Sequence, residues 1–402
     1  TETVRIISKG VYGDYWIGTR GGLYTYSKVK GVTGFYRHDE KNPRSLSNNS
    51  ILSVYHDSGG DTWIGTRGGL NLLAKSKQVF HNFVALPGDN HFLNSPTVYA
   101  FWTDNTGRIW VGTEDGGINI YNPATGTYQY LVNEKNNDNS ISENCVKAFL
   151  DDKKGNLWVA TFLGGIDVIN LGTGKISHFK ANPNVLGSLS DNRVWDLCMD
   201  KNHNIWVATS GGVDLFSPET NSFKHYAQLN GNSQILWIKS DSKGNLWMGN
   251  TSELIFFNQE ENTVKRFDEY TRTLFEDSQK RIWIGTTNRG IALYDAEKGA
   301  LKYYNESNGL ANNHTLCILE DDFKNLWIST NNGLSRFNPE KEIFHNFTVR
   351  DGLSNNQFCY GAAFKTRQGE LIFGTVAGFN IFKPGEIITD DPDVPIVLTD
   401  LK

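Results

Sequence analysis

Short apolar runs of five or six residues, broken by turns rich in Gly, Asp and Asn, follow one another along the whole chain. In one stretch Ser50-Ile-Leu-Ser-Val-Tyr-His-Asp57 reads as a strand and Ser58-Gly-Gly-Asp61 as a turn. Thr62-Trp-Ile-Gly-Thr66 is a second strand, Arg67-Gly-Gly69 a turn, Leu70-Asn-Leu-Leu-Ala74 a third strand and Val79-Phe-His-Asn-Phe83 a fourth. Gly and Asp tolerate the dihedral angles that tight hairpins demand. The second strand is apolar on both sides, as in Leu157-Trp158-Val159 and Ile282-Trp283-Ile284, which is the pattern of a strand covered on both faces. A helix would show a 3.6-residue rhythm and few Gly pairs.

The pattern is periodic. Trp16, Trp63, Trp110, Trp158, Trp206, Trp247, Trp283 and Trp327 hold one phase, and Phe373 takes the ninth place. Four short strands and four turns need roughly 40–48 residues, which matches this spacing. Four-stranded units repeated about an axis make an all-β fold, a β-propeller. Each Trp then fills the wedge between two blades, and a small residue after it (Gly112, Ala160, Gly285) lets a neighbouring group approach. The last motif, ending in Gly378-Phe-Asn-Ile-Phe-Lys383, has no clear fourth strand. Residues 79–84 would supply it, which gives a seven-bladed ring over 79–384. Residues 1–78 are then the last two or so blades of a preceding propeller, and 385–402 open a further domain. One larger ring is the alternative. The chain starts inside a repeat and stops inside a new apolar strand, so a longer parent protein is expected.

Composition narrows the chemistry. A net charge of −5 offers no basic face for nucleic acid. No run approaches the ~18 apolar residues of a membrane span. Cys145, Cys198, Cys317 and Cys359 lack metal-site spacing and fall in first strands, as small buried residues. The histidines show no HExxH spacing, and no GxSxG elbow, P-loop or dinucleotide fingerprint occurs. No catalytic residue, metal or cofactor is assigned. Acidic pairs such as Asp151-Asp152 and Asp321-Asp322 recur at the first hairpin in matching phase, which marks them as turn-formers.

A binding site is easier to place. In a propeller, the turns from second to third strand and the returns from fourth to next first strand gather around the axis on one face. Candidate ligand contacts there are Glu114, Asp115, Phe162, Asn288 and Arg289 in the turns. The returns add Asn192, Arg193, Arg272, Asn313, His314 and Gln357, with Trp195 just inside a first strand. Amides, guanidinium groups and aromatic rings suit sugars, and three arginines near one mouth suit an acidic sugar. Loop-stabilising Asx turns for the asparagines and blade core for Trp195 are the plainer readings. Two returns, around Gly231-Asn232 and Glu269-Tyr270, read as nearly absent, which predicts a lower rim on that side.

The pattern Asp-x-x-Gly-x-Leu-Trp-Ile-Gly-Thr-x-x-Gly-Leu, then Asn-Pro, then Gly-Leu-Ser-Asn-Asn resembles the two-component regulator propeller repeat. Asp321 to Asn338 and Asp351 to Asn356 match it best, and the resemblance covers residues 1–384. Pro395-Ile-Val-Leu-Thr-Asp-Leu-Lys402 is similar to the opening of a triple-tyrosine, immunoglobulin-like domain. The resemblance implies the periplasmic sensor region of a Bacteroidetes hybrid two-component histidine kinase. It implies an oligosaccharide ligand, a downstream immunoglobulin-like domain and membrane kinase as partners, and no catalysis in this stretch; a homodimer is compatible with it. Two other readings stay open: a propeller lyase acting on a polysaccharide or lactone, and a protein-interaction scaffold.

Overall fold

The computed structural model describes residues 3–387 apart from 11–13, 29–30, 41–44, 58–60, 74–78, 86–90 and 231–232. The expected turn at 58–60, Gly231-Asn232 and all but the first residues of the expected following domain lie outside the described residues. The chain forms two compact units, Thr1–Gln78 and Val79–Lys402.

The first unit holds a four-stranded antiparallel sheet (Val4–Lys9, Tyr15–Thr19, Leu23–Ser27, Gly31–Tyr36) and a three-stranded one (Ile51–His56, Thr62–Thr66, Gly69–Leu73). The two pack where Gly18 meets Ile51: a Cβ on Gly18 would lie 2.6 Å from the Ile51 side chain. Ile7, Leu52, Tyr55 and Leu70 of these sheets are exposed.

The second unit contains seven four-stranded antiparallel sheets. Their inner strands are Val98–Thr103, Val146–Asp151, Val194–Met199, Trp237–Ser240, Thr271–Glu276, Thr315–Glu320 and Phe358–Lys365, which number blades one to seven here. Each inner strand packs beside the next, and the seventh packs beside the first, so the sheets close into a ring. Blade seven takes its outer strand from the start of the unit. His81–Phe83 pairs antiparallel with Phe379–Ile381. Phe83 stacks on Phe379 at 4.5 Å, and Phe80 meets Phe382 edge-on at 4.9 Å.

The repeated Trp and its small neighbour explain the blade spacing. Trp206, Trp247, Trp283 and Trp327 are fully buried between sheets. A Cβ on Gly112 would meet Val146 of the next blade at 2.7 Å, and one on Gly374 would meet the Val98 carbonyl of blade one at 3.0 Å. Anything larger would push neighbouring blades apart.

The recurrent acidic residues tie the hairpins together. Asp277 accepts from the Trp283 indole at 2.8 Å, from Arg281 Nε at 2.6 Å and from two backbone N–H groups. Asp104, Asp200, Asp241 and Asp321 accept from Trp110, Trp206, Trp247 and Trp327 in the same way. One member of each acidic pair turns inward, the second (Asp152) in one and the first (Asp321) in the other; Asp151 and Asp322 remain less covered.

One expectation about the rim changes. The return between His225 and Trp237 is not nearly absent: it carries a short helix, Ala227–Asn230, and buries Leu229, Ile235 and Leu236. The shorter interval between Trp206 and Trp247 comes from a return of residues 226–236 against 180–193 in the preceding blade, together with a four-residue inner strand, Trp237–Ser240, where that blade has six. The return at Glu269-Tyr270 is short, since strands end at Phe267 and resume at Thr271.

Candidate ligand-binding site

The inner strands share an irregularity. In blade one, Thr113 pairs with Val98 but Gly112 pairs with Ala100, so Tyr99 is left out of the ladder. The same break skips Lys147 in blade two, Trp195 in blade three, Arg272 in blade five and Leu316 in blade six. Blade seven has a wider break that includes Tyr360. A β-bulge re-aims the side chain of its extra residue. Repeated in six of the seven blades, it places a side chain where the inner strand begins, at the mouth of the channel; blade four pairs without a break.

These side chains converge. The Lys147 ammonium lies 3.5 Å from the Tyr99 ring centroid, 5.5 Å from Tyr360 and 5.7 Å from both Trp195 and Phe162. It donates to the Tyr360 hydroxyl at 3.2 Å. The Arg272 guanidinium is 5.5 Å from the same Tyr360 ring and 4.9 Å from Tyr270. Phe162 meets Trp195 edge-on at 5.0 Å, and the Trp195 indole donates to Ser210 Oγ. The collar opens into a cavity of about 330 Å³ lined by all seven inner strands. Further along the strands Lys239 pairs with Asp196 at 2.8 Å.

Several groups here are held in one protonation state. The Tyr99 phenol is pushed up by burial first, then by the neighbouring Tyr360 and Glu114, so it stays a hydrogen-bond donor to Glu114 at 3.1 Å. The His314 imidazole is pushed down by burial and by the Arg272 charge, so it is neutral at physiological pH. Cys198, Cys317 and Cys359 are free and buried; burial pushes their thiols up to about 12, so none is a nucleophile. Among the described residues, no group of three His, Cys, Asp or Glu side chains is placed to hold a metal.

The candidates read from the sequence divide by location. Trp195, Phe162 and Arg272 are part of the collar; Glu114 stands on its rim through Tyr99, and His314 lies within reach of the Arg272 charge. Arg193 is engaged with Asp191 through Nε at 2.9 Å and Nη2 at 2.6 Å. Arg289 stacks 3.8 Å over Tyr303, on the outer strand of its blade, and pairs with Glu269 at 3.0 Å. The Asn192 side chain accepts from the Ala181 N–H, and Asn313 from the Glu306 N–H, so both staple loops. Asp115, Asn288 and Gln357 are exposed on their turns. Sequence reasoning passed over Tyr99, Lys147 and Tyr360. The signal was present as a phase: the second residue of each first strand varies (Val-Tyr99-Ala, Val-Lys147-Ala, Val-Trp195-Asp, Thr-Arg272-Thr) between small or apolar neighbours.

Fold and mouth together define a β-propeller whose channel is lined by rings and cations. The family model described as Two component regulator propeller matches residues 45–68, 140–162, 188–211, 266–288 and 309–332. Those five stretches are repeats of the two-component regulator propeller type. A histidine kinase of Formosa agariphila is 27% identical over 190 residues, which is 44% of this chain and 14% of the kinase. The crystal structure of the extracellular domain of a hybrid two-component system from B. thetaiotaomicron superposes with a TM-score of 0.74 at 25% identity. That match covers 95% of this chain and 56% of the other, so the chain spans about half of that domain. Virginiamycin B lyase from Staphylococcus aureus has a TM-score of 0.56 at 14% identity, over 75% of this chain and 98% of the lyase; that likeness is one of fold. No helix among the described residues is long and apolar enough to cross a membrane.

Proposed function

We propose that this chain is part of the periplasmic sensor region of a hybrid two-component histidine kinase and binds an oligosaccharide, released by polysaccharide breakdown, at the mouth of its ring. One observation carries the reading: six of the seven inner strands are broken by a bulge, and four of the residues set free there, Lys147, Trp195, Arg272 and Tyr360, line one cavity as rings and cations. Stacking faces and charged donors are what sugar recognition requires. The kinase relative and the extracellular-domain relative support the sensor assignment. In this reading residues 1–78 are the last blades of a preceding propeller. The exposed Ile7, Leu52, Tyr55 and Leu70 fit blade faces that expect neighbours. Residues 385–402 open the immunoglobulin-like domain that passes the signal to a membrane kinase, and ligand binding shifts blade packing or dimer geometry.

The experiment is calorimetry with product analysis on a panel of neutral and acidic oligosaccharides. Saturable heat without new products is the expected result. The lyase reading draws on one feature, the neutral His314 beside the Arg272 charge, which is a base-and-cation pairing. Turnover of any panel member would replace the sensor reading with that one. Neither heat nor product would favour a scaffold for other proteins.

A further inference from the structure

We infer that the collar reads the negative charge of its ligand: the saccharide carries a carboxylate or sulfate, and Lys147 and Arg272, both beside the Tyr360 ring, bind that group. This rests on the sugar-binding reading above and makes it more specific.

Charge accounting at the channel mouth points there. Lys147 is only 8% exposed, yet its ammonium forms no ion pair with any carboxylate among the described residues. A buried cation without a counter-ion is costly, and ring faces return only part of that cost. An ammonium has three donors; the Tyr360 hydroxyl takes one and the half-buried Cys145 sulfur is the other acceptor beside it, neither of them charged like a carboxylate. Arg272 repeats the situation: its Nε is buried with no hydrogen-bond partner, and its planar head faces two rings. Both heads stand 5.5 Å from the one Tyr360 ring.

The cavity wall as a whole is positive. Lys147, Lys239 and Arg272 line it, against the single carboxylate of Asp196. That carboxylate is already bound to Lys239 at 2.8 Å. Glu114 stands on the rim, where it accepts from the Tyr99 hydroxyl and makes no ion pair with Lys147. Elsewhere in this ring three arginines are paired with carboxylates: Arg193 with Asp191 and Arg289 with Glu269 in a return and a turn, and Arg266 with Glu253 on an outer strand. The two that face the cavity from the bulges have no such carboxylate among the described residues, and Lys147 is buried as well. Their missing partner has a defined character: an anion small enough to sit between two charged heads, carried on a body that stacks on Tyr99, Trp195 or Tyr360. A uronic acid or a sulfated sugar has both parts.

The test is titration of the full 402-residue chain with uronic-acid oligosaccharides and sulfated oligosaccharides, each beside its carboxyl-reduced or desulfated counterpart. An acidic member is expected to bind, with its neutral counterpart about tenfold or more weaker, the range of one or two charge-assisted hydrogen bonds. Lys147→Met and Arg272→Gln should each weaken the acidic ligand by about the same factor, while Lys147→Arg, which keeps the charge, retains most of the affinity. The uronate and sulfate arms show which anion is read. Equal affinity for the neutral counterpart overturns this inference and leaves the sugar-sensor reading standing. Unchanged affinity in both charge-removing variants overturns it as well. Binding of no member overturns both readings together.

Discussion

The inner strands of the ring behave differently at their two ends. Where the strand finishes, in five of the seven blades the chain turns at an aspartate that accepts the indole N–H six residues on, as in Asp200 with Trp206 and Asp277 with Trp283. Where each strand begins, the residue set free by the bulge is Tyr99, Lys147, Trp195, Arg272 or Leu316, according to the blade. One end repeats a single solution to a packing problem in five of the seven blades. The other keeps the same backbone break and changes the side chain. A repeat protein gains function where its copies differ, since a residue needed for stacking must recur in each copy.

This contrast is breakable by experiment. The largest effect belongs to the repeated end. Trp283→Ala should lower unfolding free energy by about 3–5 kcal/mol in a denaturant titration, because the emptied wedge sits between two sheets. Asp277→Ala follows, with a loss of about 2–3 kcal/mol, because the Trp283 indole, Arg281 and two backbone N–H groups lose their acceptor. If either variant were as stable as the parent, the shared end would not be what holds the blades.

Acid should act at the same end. Burial alone would raise the Asp104, Asp152 and Asp200 carboxyls, but hydrogen bonds from Trp, Asn, Arg or Thr side chains and backbone N–H groups hold them below the ordinary range. A carboxyl lowered by folding contributes stability that is complete above its unfolded value near pH ~4 and is lost as the pH falls through the folded value. Melting temperature should therefore fall below pH ~4, and Asp200→Asn should blunt that fall. A curve flat down to pH ~2 would contradict the role given to these hairpins.

The smallest stability effect is expected at the varied end. Lys147→Met removes ring contacts and also a buried charge, two terms of opposite sign, so stability should move by no more than about 1 kcal/mol. A loss as large as that of Trp283→Ala would make Lys147 a packing residue and erase the contrast.

The same division decides what could be read from the chain. Ring architecture was legible because Trp, a small residue and a Gly pair recur in phase, and each recurrence strengthens the last. Trp195 and Arg272 were legible because they lie beside returns expected at the axis. Lys147, Tyr99 and Tyr360 were harder: a single polar or aromatic residue inside an apolar run reads as strand filler, and the ladder break that turns it inward is set by packing between strands. Arg289 was drawn toward the mouth by its turn position, but Tyr303 and Glu269 on the same blade engage it. Asn192 and Asn313 illustrate a chemical ambiguity, because an amide serves a loop N–H as well as it serves a sugar hydroxyl.

The seam at blade seven has a mechanical consequence. The chain enters this unit through His81–Phe83 and leaves its last strand at Phe382, and these two strands belong to the same sheet. Tension or torque arriving along the backbone from either direction is loaded onto one blade before it reaches the other six. The innermost strand of that blade carries Tyr360, which touches Lys147 and faces Arg272. The joint that holds the ring shut thus also connects the mouth, through the innermost strand of its own sheet, to both ends of this unit.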